Sequence, residues 1–287
     1  MITTGRGSAA RQPVTRGAEE RDGLSRSKRI VARAAVPLTL IAAWVAVSES
    51  NLVGEIFLPK PQTLWDRISL LHSQLLSALG ISLQMIGLGV LIGAGTGIIV
   101  GLLFGFSRLA RDFFEFTLDT IRPTPIFALI PLFILWFGIG REPQIALVAL
   151  GVFLILSFTT VEAVRKVPRI YVRAALTCGA SRLDVYRTVV IPSIMPELML
   201  GIRYGAIASW GLDVAAEFSG SQEGLGYFMI VRGEYLDTAG ITLAVLIYCT
   251  LAIIVDRILR MLGHRLQRWN PRVAEKDFIG DMLGGSG

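Results

Sequence analysis

Six stretches of the chain are apolar almost without interruption, near 30–47, 81–106, 118–139, 144–160, 194–217 and 240–262. A helix needs roughly 20 such residues to cross the hydrocarbon of a bilayer. The pattern therefore predicts an all-α polytopic membrane protein with six transmembrane helices. Between the fourth and fifth stretches, over 162–192, polarity returns in an ordered form. Pro168 marks the start of a helix, and Gly179 sits where that helix would end in a left-handed residue. Ser181-Arg182-Leu183-Asp184 reads as a capping box, and Pro192 is expected to close the second helix and open the next span. The chain thus keeps a helix–turn–helix knob on one membrane face, a handle for a partner.

Outside the spans, 1–29 and 270–287 are polar, Gly-rich and without a sustained apolar period. Disordered tails are expected there, leaving 30–269 as the membrane domain. The basic leading tail is too long for an ordinary signal-peptide n-region, so the first span reads as uncleaved.

Composition agrees: 53% of the 287 residues are hydrophobic and 17% charged, against about 25% charged in soluble domains. Charge then orients the bundle. The leading tail carries Arg6, Arg11, Arg16, Arg21, Arg26, Lys28, Arg29 and Arg33, the 106–117 loop Arg108 and Arg111, and the knob Arg165, Lys166, Arg169, Arg173, Arg182 and Arg187. The C-terminal region adds Arg257, Arg260, Arg265, Arg268, Arg272 and Lys276, whereas the opposite face holds Lys60, Arg67, Arg141 and Arg232. The positive-inside rule places both termini and the knob in the cytoplasm. Anionic lipid accounts for the net charge of +6 without any nucleic acid. Two distant cysteines and two histidines argue against a disulfide framework, a metal centre or Ser-His catalysis, so no cofactor is expected. No Gly-Lys pair occurs, so the phosphate-cradling P-loop is absent and the chain is not expected to bind ATP itself.

In the second span Gly89, Gly93, Gly97, Gly101 and Gly105 recur every four residues. They form a smooth ridge that lets a neighbouring backbone approach closely, either within one subunit or at a dimer seam.

The knob carries a resemblance. Ala174-Ala175, three residues, Gly179-Ala180, then Val189-Val190-Ile191-Pro192 looks like the cytoplasmic loop of ABC-importer permeases, in which Glu-Ala-Ala, Gly and Ile-x-Leu-Pro stand at the same spacing. Arg173 replaces the Glu. Arg122-Pro123-Thr124-Pro125, Ile130-Pro131-Leu132, Trp136 to Gly140, Gly201-Ile202-Arg203, Trp210, Ala215-Ala216-Glu217, Gly224 to Tyr227 and Arg268-Trp269 are similar to the nitrate/sulfonate/taurine branch. The resemblance spans 81–269 and implies a type I importer-permease fold in a bacterial inner membrane. It also implies a mechanism in which two permease copies, a homodimer, form the pathway. Two cytoplasmic ATPase subunits each receive one knob, and an extracytoplasmic binding protein releases cargo into the cavity. The implied ATPase contacts are Arg173, Ala174, Ala175, Gly179, Ala180, Ile191 and Pro192.

Charges inside spans are costly, so they face the bundle interior or a wet cavity. Arg122 and Arg203 either offer a guanidinium to an anionic cargo or clamp helices through carbonyls or a buried acid such as Glu197. Asp213 shares a helix face with Trp210 and stands where the branch usually looks aliphatic. It either holds an amine-bearing ligand or pairs locally with an Arg or at a bend near Gly211. Glu217 lies near the outer exit. Pathway candidates are therefore Arg122, Arg203, Trp210, Asp213 and Glu217. The expected cargo is a small anion of the nitrate, sulfonate or taurine kind, with a thiamine-precursor-like pyrimidine as the alternative. A proton-driven carrier using Asp213 or Glu217 is the competing class; it would leave the knob without a task.

Overall fold

The computed structural model describes residues 26–50, 52–106, 116–117, 120–121 and 123–267. Helix α1 runs Arg26–Glu49 and α2 Pro61–Phe106; a 3-10 turn Ile126–Leu129 leads into α3, Ile130–Phe137. Then come α4 Glu142–Arg165, α5 Arg169–Thr177 and α6 Arg182–Val185. A π-turn over Tyr186–Val190 joins α6 to α7, Ile191–Gly220, and α8 Leu225–Glu234 and α9 Thr238–Leu266 complete the chain. No strand occurs among the described residues.

Four helical runs are long and apolar enough to cross a membrane: α2, α4, the run from Arg182 to Gly220, and α9. The other two expected spans are present as shorter apolar helices, Ala35–Glu49 and Ile126–Phe137. Prolines at 123, 125 and 131 explain the second of these. Each removes a backbone donor, and the chain answers with a turn, a 3-10 segment and an α-helix that ends at Gly138 with φ 84°. The second span differs in the other direction. Expected to begin at 81, α2 begins at Pro61 and has 46 residues, roughly 69 Å at 1.5 Å per residue. Its extra turns are amphipathic: Leu64, Leu71, Leu75 and Ala78 are buried while Trp65 and Leu76 face outward.

Helix α4 is the central post, with Leu147, Val148, Val152 and Leu156 wholly buried. The glycine ridge of α2 lies along it. A Cβ added at Gly89 would stand 2.6 Å from Val148 Cγ1, and one at Gly97 would stand 2.9 Å from the Phe153 carbonyl oxygen. The ridge is thus an intrasubunit contact. On the other side of α4, Gly201 and Gly205 of α7 meet Thr159, Leu156 and Val152. Close backbone approach replaces the hydrophobic drive that lipid cannot supply between helices. A second core joins the N-terminal half of α2 to α8 and α9 through Leu71, Leu75, Leu225, Phe228, Leu243 and Tyr248. Large apolar side chains such as Leu91, Leu103 and Ile253 point outward along the spans, as a lipid-facing surface requires.

The start of α1 at Arg26 lies inside the segment expected to be a disordered tail, while 1–25 and 268–287 lie outside the described residues.

Candidate functional site

The knob is built as its sequence suggests. Helix α5 ends in a Schellman arrangement: Gly179 N–H donates to Leu176 O at 3.0 Å and Ala180 N–H to Ala175 O at 3.1 Å, with Gly179 at φ 83°. Ser181 then caps α6. Its hydroxyl accepts from Asp184 N–H at 3.2 Å, while the Asp184 carboxylate accepts from Ser181 N–H at 3.1 Å.

Pro192 does not close this second helix. Instead the chain widens into a π-turn in which Ile191 N–H donates to Tyr186 O, and the helix continues through Pro192 and Pro196 to Gly220. A proline ring collides with the carbonyl four residues back, and one wide turn just ahead of it relieves that collision without ending the helix.

The knob is tied to the bundle on one side only. Val172, Ala175, Ala180, Val185, Tyr186 and Val190 pack with Leu102 and Val164, and Tyr186 O–H donates to Leu102 O at 3.1 Å. Arg173 and Ala174 face away from the bundle, as do Ile170, Tyr171, Leu176 and Leu183. Of the implied contacts, Arg173, Ala174 and Gly179 are exposed, while Ala175, Ala180, Ile191 and Pro192 are half-buried. Among the described residues no carboxylate forms an ion pair with Arg169, Arg173, Arg182 or Arg187. The outward surface is thus apolar at its centre, rimmed by arginine and held rigidly by two caps.

At the other end of the bundle the polar candidates gather around α7. Glu217 is wholly buried, accepting from the Ser82 hydroxyl at 2.7 Å and from Gly226 N–H. Leu225 N–H donates to Ser82 Oγ at 2.9 Å. Together Ser82 and Glu217 satisfy the first backbone donors of α8, where no side chain of that helix's own leading residues caps them. Gly224, at φ 100°, permits the turn, and a Cβ at Gly226 would stand 2.7 Å from Glu217 Oε2. Asp213, one turn before Glu217, is also wholly buried. The Tyr248 hydroxyl of α9 lies 3.1 Å from Asp213 Oδ2 and 3.2 Å from Glu217 Oε2. Trp210 is buried and meets the Tyr248 ring edge-on at 5.9 Å between centroids.

Arg203 is placed elsewhere, as a clamp between α7 and α9. Its Nε and Nη2 donate to Asp256 Oδ1 at 2.9 and 2.7 Å, and Arg260 Nη2 donates to Asp256 Oδ2 at 2.7 Å. Arg122 lies outside the described residues. Ser82, Tyr248 and Asp256 are partners that the sequence reading misses. Each is a polar residue within an apolar stretch, the one signal that marks them.

Ser82, Arg203, Trp210, Asp213, Glu217, Tyr248 and Asp256 do not line a separate groove of about 370 Å³, walled by Ile126, Gly151, Leu154, Ile155, Phe158, Thr159 and Tyr204. It runs beside the exposed face of α7, which carries Leu200, Tyr204, Ile207 and Phe218.

Residues 93–268 match the family described as binding-protein-dependent transport system inner membrane component. The taurine transport system permease protein TauC of Escherichia coli (strain K12) is 31% identical over 241 residues, 82% of this chain and 88% of that protein. The putative aliphatic sulfonates transport permease protein SsuC of Bacillus subtilis (strain 168) is 30% identical over 236 residues, 82% of this chain and 86% of that protein. In fold the chain resembles a chain of the inward-facing MetNI methionine ABC transporter, with TM-score 0.54, 20% identity and 66% of this chain matched to 92% of that one. An amino acid ABC transporter determined with histidines gives TM-score 0.59 at 16% identity, matching 69% of this chain to 97% of that one. The four long apolar helices, the protruding capped knob and these relationships agree: the chain belongs to the family of binding-protein-dependent transport system inner membrane components, with the type I ABC-importer permease fold.

Proposed function

We propose that the chain is the pathway-forming subunit of an importer for small sulfonates of the taurine kind. Two copies wall the pathway, each offers its knob to one subunit of a cytoplasmic ATPase dimer, and an extracytoplasmic binding protein delivers the cargo. The knob carries this reading. A rigid, doubly capped loop with exposed Ile170, Tyr171, Leu176 and Leu183 and unpaired arginines is suited to seat in a groove with an acidic rim. Arg173, where permeases of this type carry Glu, pairs with an acid of the ATPase, while Ala174 and Gly179 allow close approach. Ala175, Ala180, Ile191 and Pro192 set the knob's angle from behind. Identity of 30–31% to taurine and aliphatic-sulfonate permeases supports the cargo class.

Both termini and the knob face the cytoplasm in this reading. The apolar helices Ala35–Glu49 and Ile126–Phe137 complete six crossings, with neighbouring helices satisfying the broken backbone of the second. Cargo passes along the groove by Phe158, Thr159 and Tyr204. Arg122, just ahead in sequence of the groove residue Ile126, is the candidate for a sulfonate contact. Arg203, Trp210, Asp213 and Glu217 hold the helices behind this wall, since each is engaged with α9 or α8.

The test is affinity purification of the tagged chain from detergent-solubilised membranes, with labelled-taurine uptake measured in parallel. A Walker-motif ATPase is expected at one copy per permease, with uptake that stops on ATP depletion. A permease recovered alone, with uptake that follows the proton gradient instead, overturns the proposal.

A further inference from the structure

The cluster at the outer end of α7 is one hydrogen short. Glu217 is supplied by the Ser82 hydroxyl on Oε1, by Gly226 N–H on Oε2 and by the backbone N–H of Tyr227. Tyr248 has a single hydroxyl hydrogen, yet its oxygen lies 3.1 Å from Asp213 Oδ2 and 3.2 Å from Glu217 Oε2. Given to Glu217, that hydrogen leaves Asp213 without a donor. Given to Asp213, it still leaves Oδ1, which is wholly buried and has no hydrogen-bond partner among the described residues. No ion pair to either acid occurs among the described residues, and Arg203, the nearest arginine in sequence, is taken by Asp256. Two carboxyl groups thus share a buried site with one phenol, one serine hydroxyl and three backbone N–H groups, and with no ion-paired cation among the described residues. An uncompensated buried charge is among the costliest arrangements a fold can hold.

We infer that Asp213, with Tyr248 and Glu217, binds one small monovalent cation, a proton or a sodium ion, that completes this network. Every atom offered is oxygen: Asp213 Oδ1 and Oδ2, the Tyr248 hydroxyl, Glu217 Oε2 and Ser82 Oγ. Such a set suits a hard ion rather than a soft transition metal. The groups facing Asp213 are Tyr248 from α9, Glu217 from its own helix and, through the shared hydroxyls, Ser82 from α2. The cation therefore joins α2, α7, α9 and the start of α8 at one point. It is not a cargo site. Asp213 and Trp210 are enclosed within one subunit and do not line the groove, so nothing as large as a taurine ammonium reaches them without opening the bundle.

The experiment uses the full chain in detergent or nanodiscs, with thermal unfolding followed by tryptophan emission. Sodium chloride is titrated against choline chloride, and infrared spectra are taken in sodium-free buffer at neutral pH. If the ion is sodium, the wild-type midpoint rises saturably, by roughly 5–10 °C at a hundred times half-saturation, and Asp213→Asn abolishes the response. If it is a proton, the midpoint ignores sodium, and a carboxylic-acid C=O band is present that Asp213→Asn removes. Should Asp213→Asn fail to fold, Tyr248→Phe serves instead, with half-saturation expected to shift at least tenfold or the band to move in frequency. No sodium response together with no carboxylic-acid band overturns the inference, as does an Asp213→Asn protein that keeps either one. The outcome does not depend on which solute is imported.

Discussion

At the scale of single residues, Glu217 acts as a structural acid that holds the beginning of another helix. The Gly226 amide and the Ser82 hydroxyl converge on it, so its two oxygens replace the cap that α8 lacks. Glu217→Ala removes both acceptors and is expected to destabilise the subunit by about 2–3 kcal/mol, whereas Glu217→Gln, which keeps one carbonyl acceptor, costs less. Gly226→Ala is expected to match the Glu217→Ala loss because its methyl meets the carboxylate. Thermal unfolding of the purified subunit ranks the three, and an unperturbed Gly226→Ala midpoint would contradict the clamp. Arg203 and Asp256 are partly exposed, at 28% and 20%, so solvent screens their attraction and a double-mutant cycle should return only about 1 kcal/mol. A much larger value would mean that a partner surface seals the pair from water.

Between elements, contact is decided by what glycine lacks. Gly97→Leu on the ridge drives a side chain into the Phe153 carbonyl and Leu156 Cβ, whereas a methyl group added at Gly95, two residues earlier, would meet nothing within 4 Å. The first substitution should abolish monodisperse protein, and Gly95→Leu should leave the yield unchanged; size-exclusion chromatography of both separates packing from propensity. In the knob, Gly179 at φ 83° holds the turn between α5 and α6. Gly179→Val places a β-branched residue in a left-handed conformation at a cost of roughly 1–2 kcal/mol. Because the knob touches the bundle on one face only, the expected result is lost ATPase co-purification with an unchanged unfolding midpoint. Equal loss of both would mean that the knob and bundle fold as one unit.

For the whole molecule, the proposed arrangement makes the α7 face carrying Tyr204, Ile207 and Phe218 look toward a second copy across the pathway. In a background with Cys178 and Cys249 replaced by serine, Tyr204→Cys should be joined between copies by a short bis-maleimide in native membranes. Leu91→Cys, on the exposed face of α2, should not be. The opposite pattern would assign the dimer contact to α2 and leave the groove facing lipid.

Much of this architecture is legible along the chain because the signals are local. A run of apolar residues closes its own backbone hydrogen bonds within a helix. A left-handed Gly179 followed by a Ser181–Asp184 box acts over a few residues, which is why the knob can be read from sequence. Local patterns mislead in two places for physical reasons. Pro192 alone suggests a helix end, but a π-turn costs less than breaking a buried helix, and the chain runs on. The apolar run places the second span at 81, but the apolar stripe of 61–80 meets α8 and α9 and extends α2 toward its N-terminus. Partnership across the bundle lies beyond the sequence altogether. Ser82, Asp213, Glu217 and Tyr248 are separated by up to 166 residues, and nothing in their spacing says that they share one site. The five-glycine repeat is equally silent on whether α4 or a second copy covers it. Sequence determines which segments become helices and where a local cap such as Gly179 or Ser181 turns the chain, because those choices are made by near neighbours. Only the tertiary structure decides which polar groups meet inside the bundle, because in lipid that depends on which helices approach closely enough to satisfy one another.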